Sequence, residues 1–193
     1  MRKFLASLLE VLEIALVAVG AVFIVRTFLV QPFLVSGSSM VPNFENGDYL
    51  LVDELTYRIR PPERGEVVVF HDPQDWSTYF IKRVIGLPGE KVEIANNTVT
   101  VFNAAHPDGL ALDETYLPAG TAVSPDNCVG GSFATGICTY DLSSSTFLML
   151  GDNRPESFDS RGWGPLPERN IVGLVRIRLW PLNEITAFTP PKY

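Results

Sequence analysis

The chain begins with an apolar run and then changes period. From Ile14 to Val25 the sequence IALVAVGAVFIV is unbroken apolar, and with TFLVQPFLV after Arg26 it approaches the roughly 20 residues that a membrane-spanning helix needs. Beyond Pro42 the apolar positions alternate, or come in short runs bounded by Gly, Pro, Asn and Asp. DYLLVD, GEVVVF, TYFIKRVIGL, TFLMLGD and IVGLVRIRLW read as strands, and VEIANNTVTVF reads as a hairpin turning at Asn96 and Asn97. No long segment of the body shows the helical period, so the pattern predicts an all-β or β-rich domain behind one N-terminal transmembrane helix. Residues 1–34 are assigned to a cytoplasmic N-terminus and anchor, and residues 35–193 to the domain. The region from about 104 to 145, rich in Gly, Ser, Thr, Asp and Pro, reads as an irregular insertion.

Charge orients the anchor. Arg2 and Lys3 precede the apolar run, whereas Thr27 to Tyr57 holds no Lys or Arg but contains Glu45, Asp48, Asp53 and Glu54. The N-terminus is therefore expected in the cytoplasm and the domain on the outer side, extracytoplasmic or lumenal. Arg26 is expected to snorkel to the outer headgroups, and Phe28, Phe33 and Leu34 to touch the outer leaflet. The competing reading is a cleaved secretory signal ending near Ala18–Gly20. Glu10 and Glu13 interrupt its front, and apolar residues continue well past that cut.

The net charge of −7, with no long run of Lys or Arg, excludes nucleic acid as an expected partner. His71 and His106 stand far apart and away from both cysteines, so no metal-ligand spacing exists, and neither a metal nor another cofactor is expected. Cys128 and Cys138, ten positions apart in a domain placed on the oxidising side, are expected to form a structural disulfide.

Directly behind the apolar segment, SGSSMVP (Ser36 to Pro42) packs three serines and a glycine. A serine hydroxyl is a weak nucleophile until a base takes its proton. His71 and His106 sit in uninformative surroundings, which leaves lysine. A free lysine, with a pKa of about 10.4, is protonated at neutral pH and must be desolvated to act. In TYFIKRVIGLPGE, alternation puts Phe80, Lys82 and Val84 on one face and Ile81, Arg83 and Ile85 on the other, so Lys82 stands between apolar neighbours. Lowering its pKa to about 8 costs roughly 3 kcal/mol, which desolvation can supply. Alternation alone fits a snorkelling surface lysine more simply.

Several blocks occurring together in one order change that balance. SGSSMVP with NGDYLLVDE, then RGEVVVF, then YFIKRVIGLPGEKV, then MLGDNRPESFDSRGWGPLP, resembles the type I signal peptidases, membrane-bound Ser/Lys endopeptidases. The resemblance implies a signal-peptidase-like β fold with Ser39 as nucleophile and Lys82 as general base. Ser36 and Ser38 are then non-catalytic. It implies that the Ser39 N–H donates to the oxyanion, and that Gly37, standing where some members carry a serine, removes a side-chain donor. Ser157 is implied to hydrogen-bond the lysine nitrogen. Asp152, Asp159, Arg83 and Arg161 are implied to form a supporting ion-pair network, and Met40 to wall the pocket. RPES and Asn43 depart from the commoner pattern.

The implied activity is removal of N-terminal signal peptides from secreted preproteins, with cleavage after small residues, Ala-x-Ala. The implied partners are preprotein signal peptides and membrane lipid, near the secretion translocon. Two other readings compete: a self-cleaving Ser/Lys repressor-type protease, which the membrane segment opposes, and a membrane-anchored β-domain acting as a binding module.

Overall fold

In the computed structural model, residues 9–20, 30–125, 127–191 and 193 are described. Residues 9–20 form a largely exposed helix, α1. No helix among the described residues is long and apolar enough to cross a membrane. Arg2, Lys3, the run from Ala21 through Val25, Arg26 and Phe28 lie outside the described residues. In chain order the strands are β1 (Val30–Leu34), β2 (Tyr49–Asp53), β3 (Val67–His71), β4 (Tyr79–Gly86), β5 (Lys91–Ala95), β6 (Thr98–Phe102) and β7 (Leu110–Ala111). They continue with β8 (Ser132–Ala134), β9 (Ile137–Asp141), β10 (Thr146–Leu150), β11 (Leu166–Pro167), β12 (Ile171–Trp180) and β13 (Thr186–Ala187). A one-turn helix, α2 (Ser160–Trp163), precedes β11.

The strands form two sheets. The first runs β1-β2-β12-β3-β4-β10-β11, with β13 beside β12; the second runs β7-β6-β5-β9-β8. The body is β-rich, as the alternation predicts. The hairpin β5–β6 turns at Asn96 and Asn97, both at positive φ, a conformation that suits a tight hairpin and that asparagine tolerates.

Two boundaries differ from the sequence reading. Val30–Leu34, assigned to the anchor, is instead a strand at the edge of the first sheet, antiparallel to β2. Its Pro32 lacks an N–H, which an edge position tolerates. Phe33, expected in lipid, packs against the core and meets the Tyr79 ring edge-on at 5.2 Å. The region 104–145 is not wholly irregular, because it supplies β7, β8 and β9. Of these, β9 pairs with β5 from Lys91↔Asp141 to Ile94↔Cys138.

Alternation sorts the side chains into three cores. Along β4, Ile81 packs with Val35, Met40, Phe44 and Leu50; Val84 packs with Val68, Phe70, Phe147 and Met149; Ile85 joins Val92, Ile94, Val99 and Val101. Strand β10 likewise sends Phe147 and Met149 to one core and Leu148 and Leu150 to another. These two strands therefore weld the second sheet to the first. At the exit of β4 the backbone approaches so closely that a Cβ on Gly86 would lie 2.6 Å from Leu142, 2.7 Å from Val92 and 2.9 Å from Leu148. Gly86→Val should destabilise the domain by about 2–3 kcal/mol through overpacking. Urea unfolding checks this: the midpoint falls while the slope stays near that of wild type.

Candidate active site

Ser39 lies in the turn that leaves β1. That turn is closed by the Val35 N–H donating to Asp48 O at 2.9 Å and the Gly47 N–H donating to Val35 O at 2.9 Å. The Gly37 N–H donates to Asn46 Oδ1 at 3.0 Å, with Gly37 at φ 103°, a conformation glycine adopts without strain. A distant loop fixes the other side. The Asn153 N–H donates to Ser39 O at 3.0 Å, and its side-chain amide donates to Ser38 O at 3.0 Å. Met40, next in the chain, is buried in the core and does not line the cavity at Ser39, contrary to the expectation that it walls the pocket.

Lys82 reaches the same point from β4. It is only 3% exposed, pairs with Val68 across the ladder, and places Nζ 5.6 Å from the Phe80 ring centroid. Nζ donates to Ser39 Oγ at 2.6 Å and to Ile81 O at 3.0 Å. Burial pushes the ammonium pKa down from 10.5 to about 8, against the opposing charges of Asp159 and then Asp152. Such a shift corresponds to about 3 kcal/mol of unfavourable charge burial.

The charged residues around the pair are bound to one another. Asp152 accepts from Arg83 Nε at 2.8 Å and Nη2 at 2.5 Å, and Arg83 also donates to Gly65 O at 2.8 Å. Asp159 caps α2, accepts from Arg161 Nε and Nη2 at 2.8 Å each, and takes the Gly151 N–H at 3.1 Å. Ser157 departs from expectation: its Oγ is buried with no hydrogen-bond partner among the described residues, while Lys82 donates to Ser39 and Ile81 instead. That Oγ presses on Gly151, where an added Cβ would come within 2.1 Å of it and 2.5 Å of Ser39 O. Cys128 and Cys138 are joined in a disulfide.

Several contributors escaped the sequence reading. Asn43, noted only as a departure, donates to Asp152 Oδ2 at 2.9 Å and to Tyr116 O at 3.0 Å. Arg154 is 1% exposed and paired with Glu114, and its neighbour Asn153 pins the serine turn. No local signal marks Glu114 or Tyr116, because the residues they hold in place, Arg154, Arg83 and Asn43, are remote in sequence.

A cavity of about 110 Å³ opens at the pair, lined by Phe33, Leu34, Val35, Ser36, Leu50, Val69, Tyr79, Phe80 and Ile81 together with Ser39 and Lys82. Among the described residues strand β1 is a sheet edge, and β10 pairs with β4 only from Arg83 onward, so one side of the Tyr79–Lys82 backbone has no strand partner there. An apolar recess beside two open strand edges, with a hydroxyl and a desolvated amine in contact at its base, is the equipment of a serine hydrolase acting on extended chains.

Comparison with known proteins gives the family. Residues 8–180 match the family described as Signal peptidase, peptidase S26. Signal peptidase I of Leptolyngbya laminosa is 34% identical over 174 residues, which cover 86% of this chain and 77% of that protein. Signal peptidase IB of Staphylococcus aureus (strain N315) is 36% identical over 188 residues, 92% of each chain. A crystal structure of a signal peptidase I from Enterococcus faecalis V583 overlays with a TM-score of 0.45 at 27% identity, covering 60% of this chain and 97% of that one. The chain belongs to the signal peptidase family, peptidase S26, and is a serine endopeptidase.

The buried amine has a stability consequence whose sign is fixed. Between pH 8 and 10.5 the unfolded chain holds a proton on Lys82 that the folded chain has released, so stability rises with pH across that window. Lys82→Met should therefore raise stability at pH 7 by up to about 3 kcal/mol. That gain should fade as pH climbs through the same window, which thermal melts of both proteins at pH 7 and pH 10.5 check.

Proposed function

We propose that this chain removes N-terminal signal peptides from preproteins by a Ser39–Lys82 dyad, cutting after small residues. The observation that carries the reading is the 2.6 Å contact between Lys82 Nζ and Ser39 Oγ, with the lysine buried. In the neutral amine form, that contact runs from the Ser39 O–H to the lysine lone pair. Lys82 takes the proton as Oγ attacks the scissile carbonyl, then as an ammonium returns it to the departing amine. The resulting acyl-enzyme is opened by water that gives its proton to Lys82, and Ser39 leaves reprotonated. The backbone N–H of Ser39 serves the oxyanion, and Gly37 offers no hydroxyl to join it.

Specificity follows from shape. A peptide laid as a strand between the free edges of β1 and β4 presents alternate side chains to the cavity, and its small volume favours alanine-sized groups. The bulk of Phe33, Tyr79 and Ile81 would exclude longer side chains.

The apolar N-terminal segment is the membrane anchor in this account, with the N-terminus cytoplasmic and the domain outside, near the translocon. An exposed apolar row supports lipid contact: Leu34 lies across from Tyr49, and Tyr49 across from Trp180, on three adjacent strands, with Leu182 and Ile185 just beyond. Tethering enzyme and signal peptide in one bilayer raises their effective concentration. A binding module without chemistry has no use for a desolvated lysine held against a serine.

Cleavage of a preprotein with an Ala-x-Ala site tests the proposal. Ser39→Ala and Lys82→Ala should each lower kcat by at least about 10³-fold while remaining folded. The wild-type rate should rise with pH through about 8 as Lys82 loses its proton. Wild-type rates from Lys82→Ala would contradict the dyad.

A further inference from the structure

We propose that Glu114 and Tyr116, from the segment between β7 and β8, are positioning residues that hold the Ser39 turn and the Lys82 strand in register. The proposal rests on the reading of Ser39 and Lys82 as the catalytic pair. The two residues lie far in sequence from everything they brace, yet their contacts reach Arg83, next to Lys82, and Arg154, next to the Asn153 that holds the Ser39 carbonyl.

Three lines of contact converge. The Tyr116 ring lies 4.1 Å from the guanidinium carbon of Arg83, the residue next to Lys82, and this packing covers a face of the buried Arg83–Asp152 pair. The Tyr116 carbonyl accepts from Asn43 Nδ2 at 3.0 Å, and the same amide donates to Asp152 Oδ2 at 2.9 Å, tying the chain that leaves Ser39 to that ion pair. Glu114 accepts from both terminal nitrogens of Arg154, which is 1% exposed, and the preceding residue, Asn153, holds the Ser39 carbonyl at 3.0 Å. The Tyr116 hydroxyl closes the set, donating to Glu114 Oε1 at 2.7 Å and accepting from Arg154 Nη2 at 3.2 Å.

Physical chemistry makes this arrangement consequential. A guanidinium as buried as Arg154 must have a fixed anionic partner, and truncating that partner leaves an uncompensated charge. Arg83 in turn neutralises Asp152, one of the two carboxylates whose charge favours the Lys82 ammonium. The charged groups around Lys82 are Asp152 with Arg83 and Asp159 with Arg161; the turn contributes the Ser39 hydroxyl, and β3 contributes apolar Val68 across the ladder. Losing the Tyr116 ring frees Arg83 from its stack, loosens its hold on Asp152 and admits water beside the lysine strand. Both changes stabilise the ammonium, so the pH needed to deprotonate Lys82 rises. A residue that merely stabilised the fold would leave that pH unmoved.

The test uses the full chain in detergent with a preprotein carrying an Ala-x-Ala site. It compares wild type, Ser39→Ala, Tyr116→Leu, Tyr116→Phe, Glu114→Gln and Val99→Ala, the last a truncation in the second sheet's core. Tyr116→Leu should lower kcat about tenfold with KM within twofold and move the rising limb of the pH profile up by about one unit. Tyr116→Phe, which keeps ring and carbonyl, should restore the wild-type limb. Glu114→Gln, nearly isosteric, should lower kcat severalfold, and Val99→Ala should lower stability with the limb in place. An unshifted limb in Tyr116→Leu would overturn the proposal, as would wild-type kcat in both Tyr116→Leu and Glu114→Gln, or a limb shift in Val99→Ala as large as that in Tyr116→Leu. Cleavage by Ser39→Ala at the wild-type rate would instead show that the dyad reading itself has failed.

Discussion

The structure turns on one costly act: an ammonium is taken out of water and set against a serine hydroxyl. Lys82 is almost fully buried between β3 and the serine turn, and burial pulls its pKa to about 8 despite two nearby carboxylates. Desolvation thus outweighs Coulomb attraction at this point, leaving an amine that can be neutral at the pH where a cell works. A lysine in water would sit protonated beside the same serine and accept nothing.

The rest of the fold keeps that contact short. Strand β4 belongs to all three cores, so the lysine's backbone is held from several sides, and the serine turn is pinned by Asp48 on one flank and Asn153 on the other. Glycine at 151 lets the two loops meet, since any side chain there would run into Ser157 and the Ser39 carbonyl. The ion pairs Arg83–Asp152 and Arg161–Asp159 are buried and Arg154–Glu114 is nearly so, and their value lies in placement more than in stability, because burying such pairs gains little net energy. The chain belongs to the signal peptidase family, peptidase S26, and this geometry is what the proposed Ser39–Lys82 chemistry rests on.

Much of this was legible in the sequence, and the failures have physical causes. Alternation located β2 to β6, β10 and β12, and it placed Lys82 between apolar neighbours on one face of its strand. It failed at β1, where Val-Gln-Pro-Phe-Leu extends an apolar run and periodicity cannot separate the end of an anchor from an edge strand. It also failed from β7 to β9, whose short strands are separated by stretches of turn-forming residues. Met40 is apolar beside Ser39, which fits a pocket wall as well as a core, and only packing decides for the core. Glu114 and Tyr116 leave no trace because Arg154 and Asn43, which they hold, lie 40 and 73 positions away. The implied Ser157–Lys82 hydrogen bond does not form: Ser157 Oγ has no hydrogen-bond partner among the described residues, and the lysine nitrogen meets Ser39 Oγ and Ile81 O.

Burial beside Ser39 brings the Lys82 amine down to a pKa of about 8. The most direct measurement is the titration of that one amine by NMR in the folded protein, with isotope-labelled lysine and Lys82→Met to assign its signal. The midpoint should lie near 8. A midpoint at the ordinary lysine value of about 10.4 would contradict it.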